Sequence, residues 1–119
     1  MTVVLYSTKL KADVQTKLSV REKGMLMFLM RSIVNKSPIK QRNVATGSKH
    51  DSFIPHPELW HVHCGPTYKT KPSGEMTSDN VLHYANDDFF EIKFVLITSH
   101  PVGKNVPYGY NAWDYVDSL

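Results

Sequence analysis

Leu59-Trp60-His61-Val62-His63-Cys64-Gly65-Pro66 reads as a short strand closed by a Gly-Pro stop. In an extended chain alternate side chains share a face, so His61 and His63 project one way. Trp60, Val62 and Cys64 project the other way and form the apolar, buried side. The stretch therefore predicts a sheet with a core on one face and imidazoles on the other. The remaining histidines border it in sequence: His50 and His56 upstream, His83 on the next strand, His100 at the close of the last one.

Downstream, Thr67 to Asn80 reads as a polar connection with Pro72 and Gly74, and Val81 to Ala85 as the next strand. Asn86-Asp87-Asp88 marks a turn. Phe89 to Thr98 alternates, with Phe90, Ile92, Phe94 and Leu96 on one side and Glu91, Lys93, Val95 and Ile97 on the other. Its second half is apolar on both sides, which predicts a central position in the sheet. Ala112 to Leu119 is expected as a short docking helix.

Upstream, Ser19-Val20-Arg21-Glu22 is a capping box, which predicts a helix over Val20 to Val34. Met25, Leu26, Phe28, Leu29, Met30 and Ile33 give it an apolar stripe wide enough to lie across a sheet. Asn35 and Ser37-Pro38 end it, and residues 38–58 follow as an aperiodic basic loop. Thr2 to Tyr6 is β-branched and aromatic, hence a first strand, with Lys9 to Lys17 extending it or forming a loop. The expectation is one α+β domain over residues 1–119. Its architecture is an antiparallel meander with one main N-terminal helix on one face, in the order strand-helix-loop-strand-strand-strand.

Of the 119 residues 41% are hydrophobic and 21% charged, the composition of an ordinary globular chain. No apolar run is long enough to span a membrane, and the N-terminus does not resemble a signal peptide. A single cysteine forms no internal disulfide, so a reducing cytoplasm is expected. The net charge of +3 conceals a division. Through His50 there are ten Lys and Arg against Asp13 and Glu22, whereas the remainder is acidic. A basic half suits a polyanionic partner, although solvated surface charge is the plainer explanation of such runs.

A metal centre from His61, His63, Cys64 and His83 is disfavoured, because Cys64 falls on the opposite strand face and no CxxC or HxxxH pair is present. Cys64 also shares its face with no base that could activate it as a nucleophile. Acid–base chemistry on RNA asks less. Cleavage by the 2′-OH needs a base for that proton, an acid for the departing 5′-oxygen and cations on the phosphate. Histidine suits both proton roles near neutral pH. Any one histidine is more often an ordinary hydrogen-bonded residue than a catalyst; His50, His61, His63 and His100 attract notice as a set. Lys40, Arg42 and Lys49, with Lys69 and Lys93 further along, are the candidate RNA and phosphate ligands.

In element order, and in a histidine-bearing strand with a histidine just past the last strand, the chain resembles the RelE/ParE superfamily of type II toxins. Trp60-His-Val-His-Cys64 looks like the histidine strand of YafO-type toxins, and His63-Cys-Gly-Pro66 like the His-x-x-Pro turn of YafQ-type toxins. Val81-Leu-His-Tyr84, the Asn86-Asp87 turn and Phe94 to His100 resemble the last hairpin of both. Thr67 stands where YafQ-type proteins carry an acid, and Lys93 is the only basic residue on the last strand. The resemblance implies a ribosome-dependent, metal-independent endoribonuclease that needs no cofactor. Its partners would be mRNA on the ribosome and a cognate antitoxin. By matching positions it implies His50, His63 and His100 at the cleavage site, joined by His61. A non-catalytic module on the same fold, such as a ParE-like gyrase poison or a ribosome-binding inhibitor, is the alternative.

Overall fold

The computed structural model describes residues 3–35, 49–50, 59–70, 76–86, 91–99 and 109–119; of residues 49–50, 64–70, 76–79, 86 and 99 it describes the backbone alone. In chain order the elements are β1 (Val3–Ser7), α1 (Thr8–Lys17), α2 (Val20–Val34), β2 (Lys49–His50), β3 (Leu59–Thr70), β4 (Met76–Asn86) and β5 (Glu91–Ser99). A 3-10 turn (Tyr110–Ala112) and β6 (Tyr115–Val116) follow. The strands form one mixed sheet in the order β2-β3-β4-β5-β1-β6. The class is α+β, as expected, but the sheet is not a pure antiparallel meander. β2 to β5 are antiparallel, whereas β1 runs parallel to β5, with Tyr6 opposite Phe94. The reason is non-local: β1 is paired with a strand nearly ninety residues away, and nothing in either strand's own sequence states their relative direction.

The Ser19 capping box forms as its spacing predicts. The Ser19 hydroxyl accepts from the Glu22 amide at 3.2 Å, and the Ser19 amide donates to the Glu22 carboxylate at 3.1 Å. α2 then buries Leu26, Leu29, Met30 and Ile33. The segment after β1 departs from expectation, being helical instead of extended. Ser7 caps α1 by accepting from the Leu10 amide at 2.9 Å, and the helix buries Leu10 and Val14, a pair four residues apart on one face. Partial alternation through Leu10, Ala12 and Val14 imitates a strand; the buried i, i+4 pair reveals the helix. Both helices cover the same sheet face, where Val62, Leu82, Tyr84, Ile92 and Phe94 complete the main core. Across three strands Tyr84, Phe94 and Tyr6 lie side by side, with centroids 6.0 and 5.7 Å apart.

Gly65-Pro66 does not end β3. The strand continues to Thr70, with its register against β4 shifting between Cys64 and Tyr68. A strand irregularity accommodates a proline that has no amide to donate. The C-terminus is also not a docking helix: β6 pairs antiparallel with β1 through Tyr6–Val116 and Ser7–Tyr115. Tyr110 is buried against Leu59, Ala85 and Val95 on the sheet face opposite the helices.

The expected alternation of β5 holds only as far as Val95, which lies on the face opposite Phe94. Tyr84 faces Phe94 but His83 faces Leu96, so Val95 is an inserted residue in a β-bulge. Beyond it the faces exchange: Ile97 packs with the helices and Leu96 with the opposite cluster. The Ser7 hydroxyl, fully buried, donates to the Val95 carbonyl. One side chain thus caps α1 and satisfies a bulge carbonyl.

Candidate functional site

The helix-free face of β3 and β4 carries three imidazoles. Trp60 and Val62 point into the helical core, so His61 and His63 project from the other side, as the strand reading requires. Their rings are 5.9 Å apart and edge-on. Both are partly exposed. His83 is the direct cross-strand partner of His61, with ring centroids 6.5 Å apart. It is 1% exposed, and its Nε2 shares a 2.8 Å hydrogen bond with the Thr98 hydroxyl. Two partly exposed rings therefore lie beside a buried third.

At the edge of the sheet the register sets Lys49 opposite His61 and His50 opposite Trp60. Lys69 lies on the far part of β3, opposite Thr77. Lys93 is in the row of Ala85 on the histidine face. Its ammonium lies 3.2 Å from Glu91 and 3.4 Å from the Asn111 side chain, and over the Tyr115 ring at 5.4 Å. Lys40, Arg42 and His100 lie outside the described residues.

His83 is the residue that the sequence reading undervalued, weighing it for a metal and leaving it out of the proton-transfer set. Counting strand positions back from the turn pair Thr70–Met76 would set His83 opposite His63; the register shift between Cys64 and Tyr68 sets it opposite His61 instead. Among the described residues no three His, Cys, Asp or Glu side chains are grouped to share a metal ion. None of the described helices is long and apolar enough to cross a membrane.

The arrangement places two partly exposed imidazoles side by side on one sheet face, close enough to address one small group together, with the Nδ1 of His61 buried. Compared with family models, curated proteins and solved structures, the chain gives no match.

Proposed function

We propose that this chain is a cytoplasmic endoribonuclease of the RelE/ParE toxin type that acts on mRNA at the ribosome and is held in check by an antitoxin. The observation that carries the reading is the pair His61 and His63, side by side on one sheet face at 5.9 Å. Two imidazoles at that separation can address one phosphodiester. One takes the 2′-OH proton as the oxygen attacks phosphorus; the other protonates the departing 5′-oxygen. The products are a 2′,3′-cyclic phosphate and a free 5′-OH. Lys49, opposite His61 in register, is the nearest candidate phosphate ligand among the described strands. His50 and His100 remain candidates for one of the proton roles, and Lys40, Arg42, Lys69 and Lys93 for holding RNA.

His61→Ala and His63→Ala are each expected to lower cleavage of ribosome-bound mRNA by about 10²–10⁴-fold, with His50→Ala and His100→Ala tested beside them. A 5′-phosphate product, or undiminished cleavage in both His61 and His63 variants, overturns the proposal. A second reading, a non-catalytic toxin of the ParE or ribosome-binding kind, is favoured by one feature. α2 leaves Phe28 55% and Met27 42% exposed, beside a groove lined by Val4, Tyr6, Met30, Arg31 and Val34. Growth arrest that persists without RNA cuts in all four histidine variants would select it.

A further inference from the structure

We infer that His83 and Thr98 are positioning residues of the histidine site: the buried pair fixes the ring against which His61 is set, and so the orientation in which His61 is presented. The inference rests on the nuclease reading for its consequence in catalysis, but its structural content stands separately.

The placement of Thr98 depends on the bulge. Ile92 and Phe94 face the helices, and uninterrupted alternation would send Leu96 and Thr98 the same way. The extra residue at Val95 reverses the phase, so Leu96 pairs with His83 and Thr98 with Val81 on the histidine face. From there the Thr98 hydroxyl reaches His83 Nε2 diagonally across the two strands at 2.8 Å. Thr98 is 5% exposed and His83 1%, so water competes little for this bond. An imidazole whose one nitrogen is engaged by a fixed partner is held in one ring orientation; a hydroxyl both donates and accepts, so the bond sets the orientation and leaves the tautomer open. His61, directly opposite at 6.5 Å, stands on that fixed ring while His63 flanks it edge-on. Bulges recur beside functional sites because they re-aim a side chain. Here the re-aimed side chain is Thr98. Ser7, donating to the Val95 carbonyl, anchors the bulge from β1.

The test uses the full chain labelled with ¹⁵N at histidine, with Thr98→Val and Thr98→Ser variants. In the wild type His83 is expected in a single ring orientation, seen as one set of ring resonances. Thr98→Val should release that orientation, splitting or broadening the His83 ring resonances and displacing those of His61. Thr98→Ser, which keeps the hydroxyl, should restore both. Cleavage by Thr98→Val should fall roughly tenfold in kcat with little change in KM. More than one set of His83 ring resonances in the wild type overturns the inference, and this measurement needs no variant to fold. Unchanged His83 and His61 ring spectra in Thr98→Val also overturn it. If the wild type cuts no RNA, the nuclease reading fails while the ring measurements still decide the positioning role.

Discussion

Ser7 does the work of two hydrogen-bonding groups in a fully buried position. Removing its hydroxyl deletes the N-cap of α1 and leaves the Val95 carbonyl without its donor. Ser7→Ala is expected to destabilise the fold by about 2–4 kcal/mol, read from urea unfolding. A change under 0.5 kcal/mol would show that the bulge carbonyl finds another donor. Gly24 is the opposite case. It sits in the interior of α2, exposed, and a Cβ built there meets nothing within 4 Å. Gly24→Ala is expected to stabilise by about 0.5–1 kcal/mol, because alanine loses less backbone entropy on folding. The histidines show how far residue type alone can be taken: the shared face of His61 and His63 follows from a period of two. The depth of His83 and the approach of Thr98 do not.

α2 carries its own pH dependence. The Ser19 amide and then the Ser19 hydroxyl hydrogen-bond the Glu22 carboxyl and hold it below its ordinary value of 4.5; burial opposes them, and a bond from Asn80 adds the smallest effect. A lowered folded-state value means that the contribution is fully present above the unfolded value and is lost as pH falls through the folded one. Stability is therefore expected to decline below about pH 5 through this cap. Glu22→Gln, which keeps the capping geometry, should flatten that acid limb when melting temperature is followed from pH 7 to pH 3. An acid limb of the same slope in the variant would remove Glu22 from the account. The capping box was readable because its partners are three residues apart. α1 was misread because a ten-residue amphipathic segment satisfies two periodicities, and only its packing against the sheet selects one.

Charge and topology act at the scale of the molecule. The candidate phosphate ligands are expected to make RNA affinity fall steeply with salt. If Lys40, Arg42, Lys49, Lys69 and Lys93 each neutralise one phosphate, log K against log salt should have a slope of roughly −3.5 for single strands. Lys49→Gln should then reduce the magnitude of that slope by roughly 0.7. A slope near zero would mean that the positive charge merely solvates the surface. The C-terminal segment closes the sheet by pairing β6 with β1 and burying Tyr110, and the Thr8 amide donates to the Asp114 carbonyl at 3.0 Å. Deleting residues 109–119 would uncover the β1 edge and the cluster around Leu59. The truncated chain is expected to lose cooperative unfolding or to aggregate, as light scattering would show.

By itself the sequence determined what adjacent residues can settle: the α+β class, the bounds and cap of α2, the central place of β5, and the common face of His61 and His63. Each depends on a period or a cap spanning at most four residues. Tertiary structure decided the parallel pairing of β1 with β5, the bulge at Val95 and the meeting of His83 with Thr98. Those depend on which distant strands become neighbours. Strand pairing is chosen by the packing of the whole sheet against its helices, and a one-residue insertion exchanges every face beyond it.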